Sequence, residues 1–230
     1  MDIEATCEEG SNFVGMEQEI IEMSFVLLNA QTLNIDDTLQ VYVRPTENPT
    51  LSLFCRKLTG INQAHVEQAP ILLDALPQEN SSWPYKFALV TDGGRDPVSF
   101  VAIECKRKGI LMPSYYKRWV NLEYHFCKTF NVEFANMDGM LKHFNLQFEG
   151  AKHSGITDAR NLARCTIEII RHVISGRGSS TTQWPLTLND GVGRGRFAKK
   201  NSTIFVLAQT QEWTQVFLEL QRIRSNQTML

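Results

Sequence analysis

The chain of 230 residues is long enough for one sizeable domain, and its composition, 43% hydrophobic and 21% charged, argues against wholesale disorder. The net charge is −2, but residues 1–50 carry ten acidic side chains and one basic side chain, which leaves +7 for the other 180 residues. Five widely spaced cysteines without a Cys-x-x-Cys motif indicate reduced, mostly buried thiols. No apolar run reaches membrane-spanning length and no signal peptide is recognisable, so we expect a cytoplasmic or nuclear protein without a membrane partner.

The first half of the chain predicts a β-hairpin followed by a helix. Residues 20–30 are apolar and β-branched and predict a buried strand. After the polar turn QTLNIDD, the stretch LQVYVRP predicts a second strand that ends at Pro45. Residues 51–58 carry apolar side chains at helical spacing, and the following Gly60 suits a C-terminal cap.

The second half alternates short strands with helices. Residues 87–91 predict a strand that leads into Asp92, and residues 96–109 predict a helix. Residues 119–122 predict another strand, followed by helices in YHFCKTF and DGMLKHFNL. The strongest helical pattern covers residues 158–174. This order predicts an α/β fold with a mixed sheet.

The last quarter of the chain changes composition. Residues 176–202 are rich in glycine, serine and basic residues, which is typical of a flexible linker. Residues 203–230 regain apolar content and predict a separate segment whose role the sequence does not identify. We therefore expect one folded domain over residues 1–175.

Two carboxylates, Asp2 and Glu4, stand one residue apart at the start of the chain. On a strand, residues two apart point to the same face, so these carboxylates would repel each other unless a divalent cation lay between them. Oxygen ligands of this kind suit Mg²⁺ or Mn²⁺.

Further acids stand at the ends of predicted elements. Asp92 follows an apolar strand, at the edge where α/β sheets form their sites. In HSGITD, His153 precedes Asp158 by five residues, and Asp158 opens the long predicted helix. Taken singly, Asp2 and Glu4 are compatible with an exposed acidic start, Asp92 with a turn acid and Asp158 with a helix cap. A lone histidine such as His153 is more often a loop residue than a base.

Taken together, Asp-x-Glu, Asp and His-x₄-Asp resemble the pattern of the DEDDh 3′–5′ exonucleases. The flanking words DIEATCEEG, LSLFCRKLTGI, TDGGRD and HSGITDARNLAR resemble those of the enhancer-of-RNAi (three-prime histone mRNA) exoribonuclease group. The resemblance covers roughly residues 2–175. It implies an RNase H-like fold, with a mixed five-stranded sheet flanked by helices.

The resemblance implies a metal-dependent 3′–5′ exoribonuclease that uses two Mg²⁺ ions, with Mn²⁺ as a substitute. The four carboxylates of Asp2, Glu4, Asp92 and Asp158 would hold the ions, and Glu4 would also act in catalysis. His153 would accept the proton of the attacking water. Both Glu4 and His153 would also contact the substrate.

The resemblance further implies a nucleotide pocket at Ala5, Thr6, Phe54 and Leu58. Phe54 offers a stacking face for a base, but a core-facing position for Phe54 and Leu58 is equally compatible with the sequence. The expected partner is single-stranded RNA or an RNA 3′ end, and DNA is the less favoured substrate. The sequence identifies no protein partner. Five basic residues are candidates to follow the phosphate backbone: Lys106, Arg107, Lys108, Lys117 and Arg118.

The chain also departs from the family. Only Met1 precedes Asp2, where the family carries four or five apolar residues, so we expect a truncated first strand and reduced stability and activity. Arg95 stands where a tryptophan is common. No SAP domain precedes the nuclease, so recognition of a specific stem-loop is not predicted. Two alternatives remain open: a catalytically weakened RNA-binding adaptor with the same fold, and a DNA-directed proofreading or repair exonuclease.

Overall fold

The computed structural model describes residues 1–10, 15, 17–76, 87–93, 95–117 and 119–175. Strands and helices alternate along the second half of this range, as the sequence predicts. In chain order the elements are β1 (Asp2–Ala5), β2 (Ile20–Asn29), β3 (Asn34–Tyr42), α1 (Leu53–Thr59), α2 (Gln63–Glu67), α3 (Leu72–Ala75), β4 (Leu89–Thr91), a π-helix (Arg95–Ala102), α4 (Ile103–Arg107), a 3₁₀ helix (Ser114–Lys117), β5 (Trp119–Asn121), α5 (Leu122–Phe130), α6 (Met137–His143) and α7 (Gly155–Ile174).

The five strands form a mixed arrangement. The antiparallel sheet has the order β1-β2-β3, and β4 pairs with β5 in parallel. The backbone ladder is therefore divided into a three-stranded and a two-stranded sheet, rather than the continuous five-stranded sheet expected. The Met1 amino group donates a hydrogen bond to Val90 O at 2.7 Å, which brings the start of β1 beside β4. Strand β1 thus lies between β2 and β4.

Several element ends follow from local chemistry. Ser52 caps α1 by accepting the Cys55 N–H, and Gly60 ends it in the left-handed region at φ +73°. The predicted helix over 96–109 is instead a π-helix followed by the short α4. Helix α7 begins at Gly155, three residues earlier than predicted, and Ser154 occupies the N-cap position without a side-chain cap hydrogen bond.

Helix α7 packs its predicted apolar face into the core. Leu162, Cys165 and Ile169 are buried in one cluster with residues of α5 and α6, and Val173 packs against it. A second cluster lies among the strands and includes Met23 and Leu39. All five cysteines are free thiols, and three of them are buried, as expected. The two faces of the sheets are therefore covered, and the strand ends with their carboxylates lie beside α7.

Two sequence predictions concern residues that the structure does not describe: the linker over 176–202 and the segment over 203–230. Both remain predictions. Among the described residues, none of the helices combines the length and the apolar character that crossing a membrane requires.

Candidate metal centre and active site

Strand β1 presents two carboxylates on one face. Asp2 and Glu4 are partly exposed, whereas Ile3 and Ala5 alternate with them and are buried. This is the alternation that a strand imposes, because successive side chains point to opposite faces. The strand therefore turns its apolar residues to the core and both acids to one side.

Asp158 completes a group of three carboxylates. One ligand oxygen from each of Asp2, Glu4 and Asp158 lies within 4.8 Å of the others. Asp158 lies in the first turn of α7, and its carboxylate accepts the backbone N–H groups of His153 and Ser154. These bonds and the positive end of the helix dipole favour the ionised form. Burial nevertheless raises the pKa of Asp158 above its ordinary value.

Asp92 follows β4 and is partly buried beside this group. Its Oδ1 is buried and has no hydrogen-bond partner among the described residues. Burial, and then the nearby charges of Glu123 and Asp158, raise the pKa of Asp92 to about 6. A buried carboxylate oxygen without a donor, facing other carboxylates, is the arrangement that a cation would stabilise.

The donor set fits a divalent cation of the Mg²⁺ or Mn²⁺ kind. Every candidate ligand atom is a carboxylate oxygen, and such hard oxygen ligands are those these ions prefer. The orphaned oxygen of Asp92 provides an independent observation in favour of the same site. The sequence-predicted ligands are therefore brought to one place, with three in mutual ligand distance and Asp92 close by.

His153 lies beside Asp158 in the turn that precedes α7. Its backbone adopts the left-handed region at φ +60°, which is uncommon for a residue with a side chain. The side chain is exposed, and its charge acts on Asp158. An exposed imidazole at the rim of a carboxylate cluster can take a proton from a water held there.

The predicted nucleotide pocket has a buried wall and an exposed wall. Ala5 and Thr6 are buried, and Thr6 exchanges hydrogen bonds with Glu19 at 2.8 and 2.9 Å. Cys55 Sγ approaches Ala5 O at 3.7 Å, which holds α1 against this segment.

The other two predicted pocket residues lie on α1. Phe54 is half-exposed and Leu58 is 37% exposed, whereas the buried residues of α1 are Cys55 and Thr59. Leu58 therefore does not face the core, whereas Phe54 is partly buried and its role in a pocket stays a prediction. Both side chains are accessible to a ligand beside the end of β1.

Two of the basic residues expected to follow a phosphate backbone have internal partners instead. Lys108 Nζ is mostly buried and contacts Glu19 Oε1 at 2.6 Å and Glu104 Oε1 at 2.7 Å. Arg107 forms ion pairs with Glu17 and Glu47. That part of the prediction is wrong, because the two cations are paired with acids of the protein itself, three of them in the first fifty residues. Lys106 and Lys117 are exposed.

Two further acids, not predicted from the sequence, adjoin the site. Glu123 follows β5, as Asp92 follows β4, and the carboxyl ends of parallel strands meet at one edge. Glu22 is 1% exposed on β2 and lies opposite Glu4 in the register. A charged residue inside the apolar run IIEMSFV was the available signal for Glu22, since buried acids need specific partners.

Comparison with known proteins places these residues in a family context. Residues 1–166 match the RNase T family model, described as an exonuclease. The mouse protein "3′-5′ exoribonuclease 1" is 36% identical over 184 residues, which covers 74% of this chain and 52% of the mouse protein. The chain thus spans about half the length of this curated relative.

Two solved structures are similar in fold. One is the nuclease domain of 3′hExo, a DEDDh family member, bound to rAMP; its TM-score is 0.67 at 34% identity, covering 82% of this chain and 93% of that one. The other shows 3′-end specific recognition of a histone mRNA stem-loop by a 3′-exonuclease, with a TM-score of 0.67 at 34% identity, covering 74% of this chain and 62% of that one. The mixed α/β arrangement is therefore the RNase H-like fold of DEDDh exonuclease domains, as the sequence predicts.

Proposed function

Because this chain belongs to the RNase T exonuclease family, we propose that it removes nucleotides from the 3′ end of single-stranded RNA or of an RNA overhang. The observation that carries the proposal is the convergence of Asp2, Glu4 and Asp158 within ligand distance, with the unpartnered Oδ1 of Asp92 beside them. Four carboxylates from three distant parts of the chain have no structural reason to meet, because their charges repel one another.

The carboxylates would hold two Mg²⁺ ions, which Mn²⁺ can replace. Asp2, Glu4, Asp92 and Asp158 would supply the protein ligands. When bound, the cations would supply Lewis-acid stabilisation of the phosphate and a more acidic attacking water. The buried position of Asp92 and the backbone donors to Asp158 hold the oxygens in place before any ion arrives.

The remaining residues bind the nucleotide and move the proton. His153 would accept a proton from the water as its oxygen attacks phosphorus, and the bond from phosphorus to the 3′ oxygen breaks. The shortened chain keeps its 3′ oxygen, and a nucleoside 5′-monophosphate leaves. Phe54 would stack on the terminal base and Leu58 would support it, while Ala5 and Thr6 form the pocket floor with Glu4.

RNA is the proposed substrate because of the relatives. The mouse relative is named an exoribonuclease, and one similar structure is of a 3′-exonuclease that recognises a histone mRNA. A pocket that binds the terminal nucleotide closely can contact the 2′-hydroxyl and so separate RNA from DNA. We assign this activity to residues 1–175, and the histone stem-loop is not assigned as a substrate of this chain.

The test is digestion of matched oligonucleotides labelled at the 5′ end. Single-stranded RNA should yield a descending ladder with Mg²⁺ and remain intact in EDTA. The same RNA with a blocked 3′ end should persist, and DNA of the same sequence should be cut more slowly. Asp158→Asn should abolish the ladder, whereas Asp74→Asn, an exposed acid of α3, should leave it unchanged.

Three outcomes would contradict the proposal. Cleavage inside the blocked RNA would indicate an endonuclease. A preference for DNA would favour the DNA-directed alternative. RNA binding without any digestion, with either Mg²⁺ or Mn²⁺ present, would favour the alternative of a catalytically weakened RNA-binding adaptor.

A further inference from the structure

Glu22 is a buried acid that the proposed reaction does not use. It is the third residue of β2 and has 1% of its surface exposed, among apolar neighbours on the same strand. Burying a carboxyl group costs free energy unless it is hydrogen-bonded. Its partners therefore indicate what the group is for.

The Glu22 carboxyl joins three elements. Its Oε1 accepts hydrogen bonds from the Ser24 hydroxyl on β2 and from Gln40 Nε2 on β3, the latter at 3.1 Å. The carboxyl also accepts the backbone N–H of Ile156 in the first turn of α7. Helix α7 is thus tied by its first turn to two strands of the sheet.

The start of α7 also packs directly on this carboxyl. A Cβ placed on Gly155 would lie 2.8 Å from Glu22 Oε1 and 3.1 Å from Ser24 Oγ. A methyl group there would force the Glu22 carboxyl or the first turn of α7 to shift, so the close approach of helix and carboxyl favours glycine. The distance between the start of α7 and strand β2 is therefore set by Glu22.

Strand β2, which carries Glu22, also pairs with β1, which carries the candidate ligands Asp2 and Glu4. In the β1–β2 register, Asp2 lies opposite Ser24 and Glu4 lies opposite Glu22. Side chains of directly opposed residues share one face of a sheet. The Glu22–Ser24 pair therefore lies against the strand that carries Asp2 and Glu4 on one side and the helix that carries Asp158 on the other.

We propose that Glu22 is a positioning residue of the metal centre: it fixes the first turn of α7 against β1, so that Asp158 comes within ligand distance of Asp2 and Glu4. The inference rests on the proposed metal-dependent function, because it concerns the ligands of that centre. Glu22 itself contacts neither substrate nor reacting atoms.

A double-mutant cycle tests the proposal. Gly155→Ala adds a methyl group against the carboxyl, and Glu22→Asp withdraws the carboxyl by one methylene. Each single variant should lower Mn²⁺ affinity in the absence of RNA by roughly tenfold, within the range found when groups that orient metal ligands are removed. Each should lower kcat without raising KM for RNA. The double variant should recover most of the Mn²⁺ affinity, because the shorter side chain makes room for the methyl group.

Gly139→Ala is the matched control. Gly139 lies within helix α6, where an added Cβ would meet Asn136 Oδ1 at 3.4 Å and Ala135 Cβ at 3.6 Å. This variant should bind Mn²⁺ and digest RNA as the wild type does. Should Gly155→Ala fail to fold, Ser24→Ala, which removes one donor to Glu22, should still lower Mn²⁺ affinity by about threefold, below the tenfold effect of removing the whole group.

The outcomes separate positioning from bulk stability and from the proposed function. Variants that melt earlier but keep wild-type Mn²⁺ affinity would show that Glu22 serves stability alone and would overturn the inference, as would single effects that simply add in the double variant. Calorimetric titration with Mn²⁺ needs no RNA, so the inference stands or falls even if the wild type digests nothing. Failure of the proposed function is seen instead in the digestion of RNA by the wild type.

Discussion

Replacing Asp92 by asparagine should abolish activity and, without metal, stabilise the fold. In the metal-free protein, the ionised carboxylate is partly buried, its Oδ1 has no donor among the described residues, and Glu123 and Asp158 lie nearby. An asparagine has nearly the same shape, carries no charge, and can donate its amide N–H to those neighbouring carboxylates. The variant therefore removes a repulsion and leaves the surrounding packing intact.

The size of the effect follows from the pKa of Asp92, which is raised to about 6. The ordinary value is about 3.9, so the shift is about 2 units, and each unit corresponds to about 1.4 kcal/mol. We expect a gain of about 1–3 kcal/mol in the free energy of unfolding at pH 7.5, since the group keeps some access to water. Because the raised pKa means that the folded state holds the proton more tightly, the cost of ionisation is present above pH 6 and disappears as the pH falls towards 4.

Urea unfolding in EDTA measures this difference. The asparagine variant should be the more stable protein at pH 7.5, and the difference should vanish near pH 4. Adding Mg²⁺ should shift the difference towards the wild type, because an ion at one hundred times its dissociation constant stabilises the wild type by about 2.7 kcal/mol and the variant by less. Asp74→Asn, at an exposed acid, should change stability by no more than about 0.5 kcal/mol. A variant no more stable than the wild type in EDTA would refute the electrostatic account of the site.

Three further predictions test other residues. His153→Ala should lower turnover by roughly 10²–10⁴-fold with Mn²⁺ affinity unchanged. Near-normal turnover would show that His153 is a loop residue and not the base. Phe54→Ala should raise KM for RNA by roughly 5–100-fold, from a stacking contribution of about 1–3 kcal/mol, whereas Leu53→Ala, 59% exposed on the same helix, should not; equal effects would argue against stacking. Glu19→Gln should lower the free energy of unfolding by about 3 kcal/mol at pH 7, because Lys108 and three backbone N–H groups lower the pKa of Glu19 to about 2. That loss, measured by urea unfolding against the wild type, should shrink as the pH falls from about 4.3 towards 2, since the unfolded and then the folded carboxyl take up a proton; a constant difference would contradict it.

The long elements could be predicted from the sequence because their periodicity is strong. Strand β2 and helix α7 are 10 and 20 residues long, and both appear where the pattern places them. Helix α2 has five residues, too few to show a helical repeat, and was not predicted. Helix α3 has four residues and ends at Ala75, which agrees with the early break that Pro77 predicts for the helix before β4. The early start of α7 was also missed, because a glycine ordinarily argues against a helix start, and only the packing of Glu22 explains Gly155.

The candidate site, too, was predictable from the sequence only in part. The four carboxylates and His153 could be named from motif order and family resemblance. The surroundings could not, because they depend on contacts between distant parts of the chain. From the sequence, Lys108 was expected to contact phosphate. In the structure it pairs with Glu19, 89 residues away in the chain. From the sequence, Glu22 is one of ten acids in the first fifty residues. Only the folded structure shows its hydrogen-bond partners on β3 and α7.

The separation of the ligands along the chain has a consequence for synthesis. Glu4 and Asp158 meet in the folded protein, but they are 154 positions apart in the sequence. At about 5–20 residues per second, a ribosome needs roughly 8–30 s to pass from one to the other. During that interval a growing chain holds Asp2 and Glu4, and later Asp92, but lacks the helix that carries Asp158. A nuclease with its ligands separated in this way would be synthesised on the ribosome, beside messenger RNA, without being able to digest that RNA. It would become active only after α7 has been synthesised and has packed against the strands.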